Sequence, residues 1–201
     1  ANIKTITVNT PTSRRSFLSN IIPATLSASL LKAAENRAPW LQISLQQYSF
    51  NRMFRSKKLD PLDYPKFAVQ KTKIKALEYF NGFFEEKLGS AKFLSELKNR
   101  CGDLGVENQL MLCRSDLALD AADATERKKA AVYLARWGEF AKELGCHSIR
   151  VDCRSKGNRA EVKKQAVDGL NQLCEILEPM KVSAIVENHG NCVLRVLIYI
   201  G

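Results

Sequence analysis

Residues 182–189 have the sequence VSAIVENH, an apolar strand candidate that ends directly on Glu187, Asn188 and His189. Earlier stretches of the same character, each closed by polar or charged side chains, cover residues 41–47, 74–80, 106–113 and 147–153. The strand starts lie about 33–40 residues apart, which leaves room for one helix in each interval. This alternation predicts right-handed βαβ units and a parallel sheet.

Helical patterns fill the intervals between these strands. Asp60 is predicted to cap the first helix, which has a proline at its first position. A long helix is predicted to begin at Asp123 or Thr125 and to end at Gly145. Apolar residues at helical spacing predict the remaining helices over residues 61–71, 88–101 and 162–177.

Periodicity alone leaves two folds open, a doubly wound sheet and a (β/α)8 barrel. The sequence has no G-x-G-x-x-G after the first strand and no G-x-x-x-x-G-K-[ST], so the usual phosphate cradles of doubly wound enzymes are missing. Polar residues at the strand ends favour the barrel, because barrel enzymes build their sites there. We therefore predict an α/β fold, a partial (β/α)8 TIM barrel of about five parallel βα units.

The polar strand ends supply the candidate site residues. Glu187 and His189 lie two residues apart on an extended chain, so both side chains are expected on one face. Such a pair can bind a divalent metal, or act as base and orienter around a sugar hydroxyl. The alternative interpretation is a salt-bridged loop acid and a surface histidine. His147 begins its strand and is predicted to be structural. The other strand ends carry Gln46, Gln47, Glu78, Arg150, Asp152 and Arg154.

Four segments resemble one enzyme family. They are residues 41–49 (LQISLQQYS), 77–79 (LEY), 145–151 (GCHSIRV) and 186–190 (VENHG). Together they are similar to the sugar phosphate isomerase/epimerase family, whose members are xylose isomerase-like TIM barrels. The resemblance covers roughly residues 13–190 of this chain. The resemblance implies that Glu187 binds a divalent metal and takes part in proton transfer, and that Glu78 lies in the substrate pocket.

The function implied by the resemblance is metal-dependent isomerisation or epimerisation of a sugar or sugar phosphate, by proton transfer next to a carbonyl. The metal would be Mn, Mg, Zn or Co, with Glu187 as a ligand. A metal-dependent abasic-site endonuclease-like barrel and a non-catalytic sugar-binding barrel remain open. We expect no nucleic-acid partner, because the grouped lysines and arginines that phosphate contacts need are missing. The predicted catalytic residues are Glu187 and His189, and the predicted substrate-binding residues are Gln47, Glu78, Asp152, Arg154 and Asn188.

The last residues depart from the family's pattern. A complete barrel takes about 250 residues, and the family's other ligands, an Asp, a His and a second Glu, come from strands six to eight. An apolar run over residues 193–200 follows here instead. We expect an incomplete site, a weakly bound metal and open sheet edges that favour self-association, unless residues 193–200 add a strand to one edge.

Residues 1–34 have the features of a leader, and residues 35–201 those of the barrel segment. The leader holds four of the 31 lysines and arginines and none of the 21 acidic residues, so it adds strongly to the net charge of +10. Residues 13–18 (SRRSFL) precede a mildly apolar stretch and the small residues Ala33 and Ala34, an order typical of a twin-arginine signal peptide. The apolar stretch is shorter than the about 20 residues of a membrane span. We predict a bacterial protein exported by the twin-arginine route to the periplasm or beyond.

Composition and cysteine usage set further limits. Hydrophobic residues make up 45% and charged residues 26%, which excludes a disordered chain, a collagen-like repeat and a polytopic membrane protein. The six cysteines form no C-x-x-C motif. We expect mostly buried free thiols, with a bridge between Cys113 and Cys153 as the alternative.

Overall fold

The computed structural model describes residues 42–187 and the backbone of residues 199–200. From Ile43 onward, the described residues belong to one compact unit. The predicted leader over residues 1–34 lies outside the described residues, and so do Asn188 and His189. No helix within the described ranges is long and apolar enough to cross a membrane.

One sheet organises the described residues. Its strands are β1 (Leu45–Gln46), β2 (Ala76–Phe80), β3 (Glu107–Leu112), β4 (Ser148–Asp152), β5 (Ser183–Glu187) and β6 (Tyr199–Ile200). β1 to β5 are parallel, and each pairs with the next strand along the chain. β6 runs antiparallel to β5 and aligns Ile200 with Ala184. The prediction of a partial barrel with five parallel strands is confirmed, and the end of the apolar run over residues 193–200 does add a strand beside β5.

Helices connect the parallel strands as the alternation predicts. They are α1 (Asn51–Arg55), α2 (Tyr64–Thr72), α3 (Ala91–Asp103), α4 (Ala124–Leu144) and α5 (Arg159–Leu177). Asp123 caps α4, because its carboxylate accepts a hydrogen bond from the backbone N–H of Glu126 at 2.9 Å. α4 ends at Gly145, whose φ of 93° suits a residue without a Cβ. Local capping signals therefore place the longest helix correctly.

The first strand is shorter than the predicted strand over residues 41–47. Only Leu45–Gln46 pair with β2. The chain then turns into a 3-10 helix over Gln47–Phe50 and continues as α1. The amide oxygen of Gln46 favours this turn, since it accepts a hydrogen bond from the backbone N–H of Tyr48 at 3.0 Å. A side-chain hydrogen bond within the loop replaces strand pairing after Gln46.

The two faces of the sheet lie in different environments. Alternate strand residues point toward the helices and are almost inaccessible, and each such apolar side chain contributes roughly 1.5–3 kcal/mol by its burial. On this helix face the buried side chains include Leu77, Tyr79, Met111, Ile149, Val151 and Val186, packed in one core with Trp137 and Leu144. The opposite face, called the open face below, carries the partly buried side chains of Glu78, Leu110, Arg150, Asp152, Ile185 and Glu187. A closed barrel would enclose the open face.

β3 carries one extra residue near its start. Its register against β2 shifts after Leu77, so that Asn108 aligns with Leu77 whereas Leu110 aligns with Glu78. The bulge leaves Asn108 on the helix face, where its side-chain oxygen accepts a hydrogen bond from the buried hydroxyl of Tyr79. The shift also places Leu110 beside Glu78 on the open face.

The described cysteines behave largely as expected. Cys113 is a free thiol, so the alternative bridge to Cys153 is not formed in the described part of the chain. Cys192 lies outside the described residues. The prediction of free thiols is confirmed for Cys101, Cys113, Cys146 and Cys174.

Candidate functional site

The ends of β4 and β5 bring a carboxylate and a guanidinium together on the open face. Asp152 and Glu187 align in register as the last residues of their strands. Arg150 precedes Asp152 by two residues, so it shares that face. Its Nε lies 3.5 Å from Oε2 of Glu187, and both side chains are 26% exposed. Glu187 is therefore held in an ion pair while part of its side chain stays exposed.

A second ion pair stands beside the first. Arg154 Nε lies 3.2 Å from Oδ2 of Asp152, and Arg154 Nη2 donates a hydrogen bond to the backbone oxygen of Ser115 at 2.7 Å. These side chains line a polar cleft of about 230 Å³ between the loops that follow β3 and β4. The structure thus places Asp152 and Arg154, two predicted substrate-binding residues, in one cleft.

Asp120 lies in the same cleft and was not predicted. Its carboxylate is almost fully buried and accepts hydrogen bonds from the backbone N–H and the hydroxyl of Ser155, at 2.7 and 2.8 Å. It fixes the loop that carries Arg154. Asp120 sits in a loop with no periodic pattern, and its partner is 35 residues away, so the sequence contains no local signal for this role.

Glu78 lies on the open face but at a different position along the strands from Glu187. Its carboxylate accepts hydrogen bonds from the hydroxyl of Ser44 and from Nε2 of Gln46, the latter at 3.4 Å. Glu78 aligns with Leu110 of β3, which in turn aligns with Ser148 of β4. Ser148 aligns with the first residue of β5, whereas Glu187 is the last residue of that strand. Glu78 and Glu187 therefore share a face at different heights along the strands.

Gln47 is placed differently from the other predicted residues. It is fully buried, and its side-chain oxygen accepts a hydrogen bond from the backbone N–H of Phe80 at 3.0 Å. Its Nε2 is buried and has no hydrogen-bond partner among the described residues. Gln47 joins β1 to the end of β2, and its predicted contact with substrate stays a prediction. The predicted roles of Asn188 and His189 also stay predictions, since both lie outside the described residues.

The described residues do not fit a divalent metal by themselves. No group of three or more His, Cys, Asp or Glu side chains within the described ranges could hold an ion. The two carboxylates at the strand ends, Asp152 and Glu187, are each paired with an arginine. By themselves, the two arginines can donate hydrogen bonds to the oxygens of a ligand, and the two carboxylates can accept hydrogen bonds from it.

A second cluster, which the sequence analysis missed, connects the loops after β1, β2 and β3. The side chain of Asn81 donates to the backbone oxygen of Arg114 and accepts from its backbone N–H, both at 2.9 Å. The guanidinium carbon of Arg114 lies 5.6 Å from the ring centroid of Tyr48. These contacts join residues more than 30 positions apart. They depend on which strands are neighbours, so the spacing of residues along the sequence does not predict them.

Comparison with known proteins gives a family and a fold. The family described as xylose isomerase-like TIM barrel matches residues 68–195. No curated protein matches the chain. Among solved structures, D-psicose 3-epimerase from Clostridium cellulolyticum with D-tagatose has a TM-score of 0.59 and 14% identity, over 72% of this chain and 51% of that one.

Two further solved structures are similar over the same region. A sugar phosphate isomerase/epimerase from Parabacteroides distasonis has a TM-score of 0.58 and 15% identity, covering 77% of this chain and 54% of that one. The IOLI protein with a bound zinc atom has a TM-score of 0.59 and 17% identity, covering 77% and 54%. Likeness at these identities shows the fold alone. The chain spans about half the length of these structures.

Proposed function

The chain belongs to the xylose isomerase-like TIM barrel family, and on this premise we propose that the protein is an isomerase or epimerase of a sugar or sugar phosphate. The observation that carries the proposal is the pair of Glu187 and Arg150 on the open face, 3.5 Å apart at the carboxyl end of the sheet. Carboxyl ends of barrel strands are where enzymes of this architecture hold their substrates.

The chemistry of this pair suits proton transfer next to a carbonyl. The carboxylate of Glu187 would take the proton from the carbon beside the carbonyl, and the electron pair of the broken C–H bond would move to the carbonyl oxygen. Arg150 would donate a hydrogen bond to that developing oxyanion. Protonation of that carbon on its other face by a second acid gives the epimer. Return of the proton from Glu187 to the former carbonyl carbon, with the proton of the adjacent hydroxyl passing to the oxyanion, gives the isomer.

A divalent metal would stabilise the same oxyanion as a Lewis acid. One similar structure contains a bound zinc atom. We propose that Glu187 would be one ligand of a weakly held metal, since the described residues supply no complete set of ligands. Glu187, Arg150 and Arg154 bind and orient the sugar in this proposal.

The test combines binding with proton exchange. The chain is titrated with D-fructose and D-fructose 6-phosphate in D2O, and the proton next to the carbonyl is followed by NMR. We expect saturable binding, and deuterium incorporation above the buffer rate that Glu187→Gln abolishes. Glu107→Gln is the matched control, because Glu107 is an exposed strand residue at the opposite end of the sheet. Saturable binding without exchange would favour the non-catalytic sugar-binding barrel. The absence of any binding would contradict both functions.

We also propose that residues 1–34 direct export by the twin-arginine route. The support is the paired arginines, Arg14 and Arg15, ahead of an apolar stretch and small residues, with no acidic residue in this segment. Replacing both arginines by lysine is expected to abolish appearance in the periplasmic fraction while the amount in total cell extract stays the same. Unchanged export of the double variant would contradict the proposal.

A further inference from the structure

One side of helix α4 carries its charges in two blocks. On this side, basic side chains come first along the chain, and acidic side chains follow near the end of the helix. Spacings of three or four residues place these side chains on the same side of the helix, together with one valine. That side is exposed to solvent. We call this set the α4 stripe, and it consists of Lys128, Lys129, Val132, Arg136, Glu139 and Glu143.

The charges of the α4 stripe do little for the helix that carries them. Lys129 makes an ion pair at 2.8 Å with Glu126, which lies outside the stripe. The other charges of the stripe form no ion pair within the described residues. Glu139 and Glu143 lie one turn apart and repel each other, and both oppose the helix macrodipole, which favours cations at this end. A partner with the opposite order of charges would reverse these unfavourable effects.

The α4 stripe also exposes apolar surface. Val132 is 51% exposed, and it lines a shallow groove along α4 in which every charged side chain is basic. Arg136 belongs to this groove and to a second one of about 290 Å³ beside the start of α3, where the other charged side chains are Glu139 and Glu143. The stripe therefore combines exposed apolar surface with a basic end and an acidic end.

A second copy of the chain has the complementary surface. When two copies of α4 lie antiparallel about a two-fold axis, the basic end of each stripe faces the acidic end of the other. Lys128 and Glu143 are equally distant from an axis placed between residues 135 and 136, so Lys128 of each copy lies opposite Glu143 of the other. Each Arg136 then lies near the axis, with a Glu139 on either side. The antiparallel arrangement also aligns the two helix macrodipoles favourably.

We propose that the α4 stripe is a docking surface for a second copy of this chain, and that the two α4 helices pair antiparallel across a two-fold axis. The buried side of α4 packs in the core against the sheet, so the stripe faces away from the sheet. The proposal is therefore independent of the open face, of Glu187 and of the proposed catalytic function. It also differs from the self-association through open sheet edges that the sequence leads us to expect.

The size of the α4 stripe limits the strength of this contact. α4 has 21 residues and is about 30 Å long, so a strip about 10 Å wide along it covers about 300 Å² of each copy. A standard interface takes about 800 Å² from each partner. We therefore expect a reversible dimer with a dissociation constant on the order of 100 μM.

Sedimentation equilibrium of the full chain tests the contact, in salt of about 0.15 M to screen the net charge of +10 on each copy. We expect dimerisation that increases with protein concentration. Lys128→Glu and Glu143→Lys are each expected to weaken it at least tenfold, because the two-fold axis then turns two attractive pairs into repulsive ones. An equimolar mixture of the two variants should dimerise at least as strongly as the native chain, since both pairs across the axis again join opposite charges. Lys163→Glu is the matched control, because Lys163 is an exposed lysine on α5, outside the stripe.

The mixture decides whether the two residues face each other. Recovery of the dimer in the mixture, with the control unchanged, supports the antiparallel contact through α4. A native chain that stays monomeric at every concentration would overturn the proposal. So would a dimer that Lys128→Glu and Glu143→Lys weaken no more than the control does, because the contact then lies elsewhere, for example at the sheet edges. Loss of the dimer in both variants without recovery in their mixture would overturn it as well. Circular dichroism verifies that these exposed substitutions leave the fold intact.

Discussion

Tyr79, Cys101 and Asn108 make a buried polar contact on the helix face of the sheet. The Tyr79 hydroxyl lies 3.3 Å from Sγ of Cys101 and donates a hydrogen bond to Asn108. Burial raises the pKa of the Tyr79 hydroxyl and the pKa of the Cys101 thiol, because desolvation disfavours the charged form of both groups. Both are protonated and neutral at neutral pH. This cluster therefore positions β2 against α3 and β3 and is not a reactive site.

The same burial predicts how the thiols react. Burial raises the pKa of the Cys113 thiol well above its ordinary value, and it also raises the pKa of the half-buried Cys174 thiol. A raised thiol pKa leaves less thiolate at a given pH, and only the thiolate is alkylated. In the native chain we expect iodoacetamide to label Cys174 before Cys113, at a rate that still increases above about pH 9.

Peptide mass spectrometry after timed labelling measures both rates. Labelling in concentrated urea is the control, because unfolding exposes both thiols and should make their rates similar. Equal rates for Cys113 and Cys174 in the native chain would show that Cys113 is accessible.

At the residue scale, the sequence predicts which side chains share a face but not which of them pair. The two-residue period of a strand places Arg150 and Asp152 together, and their common face follows from it. The partner of each charge depends on the neighbouring strand and its register, as for Glu187 and Arg150. The sequence does not predict the burial of Gln47. This polar residue at a strand end is fully buried, and its side chain accepts a hydrogen bond from the backbone N–H of Phe80.

At the element scale, helix α5 packs closely against the loop that precedes α4. Gly169 allows this approach, because a Cβ at this position would overlap the backbone oxygen of Leu119. The loop also holds Asp120, which orders the cleft beside Arg154. The glycine in the middle of α5 is therefore a packing requirement that also affects the site.

Replacing Gly169 tests this packing. Gly169→Ala is expected to lower the free energy of unfolding by about 2–3 kcal/mol, because a backbone atom must move to make room. Gly102→Ala in α3 is the matched control, since nothing lies within 4 Å of its Cβ position. The control should be neutral or stabilising by up to about 1 kcal/mol, the helix propensity difference between glycine and alanine. Urea unfolding measures both, and equal effects would contradict the close approach.

Arg127 joins the same two helices through its side chain. Its Nη1 donates to the backbone oxygens of Ala121 and Ala122 at 2.8 and 2.9 Å, and its Nε donates to Asp168 at 2.6 Å. Arg127→Met leaves these acceptors without a donor and is expected to cost about 1–3 kcal/mol in the free energy of unfolding. Asp168→Asn is the control, because it weakens the ion pair but keeps the two bonds to the loop.

The ion pair adds a pH dependence. The hydrogen bond from Arg127 lowers the pKa of the Asp168 carboxyl below its ordinary 3.8. A carboxyl whose pKa is lower in the folded chain than in the unfolded chain stabilises the fold at pH values above the unfolded-state pKa. This stabilisation is lost as the pH falls through the folded-state pKa. The stability difference between the native chain and Arg127→Met should therefore shrink below pH 3.8. A constant difference down to acid unfolding would show that Asp168 takes no part.

Element prediction succeeds where the signal is local. Asp123 and Gly145 delimit α4 by short-range capping that the sequence displays directly. The end of β1 was predicted less well. The chain turns after Gln46 because of a side-chain hydrogen bond to Tyr48, and only Leu45–Gln46 pair with β2. Strand order follows from the barrel fold, in which each parallel strand pairs with the next along the chain, and the polar strand ends favoured that fold over a doubly wound sheet.

At the scale of the whole molecule, the five parallel strands present one partly exposed face, on which Asp152 and Glu187 are each paired with an arginine. Arg150 forms an ion pair with Glu187, and Arg154 forms one with Asp152. A cation that binds Glu187 must therefore compete with Arg150 for the carboxylate. Resemblance to a family predicts that Glu187 binds a metal, whereas its contact with Arg150 depends on the neighbouring strand.

Metal binding to this chain is accordingly expected to be weak. A divalent site of this kind uses about three or four protein donors, and no such group exists among residues 42–187. Calorimetric titration of the full chain with Mn²⁺ or Zn²⁺ should give a dissociation constant on the order of 100 μM or weaker. Arg150→Gln should bind the ions more tightly than the native chain, because the competing cation is removed. Glu187→Gln is the control for binding elsewhere and should show the residual affinity only. A one-to-one titration at micromolar affinity that Glu187→Gln abolishes would mean that residues beyond Glu187, including His189, complete a site that the described residues only begin.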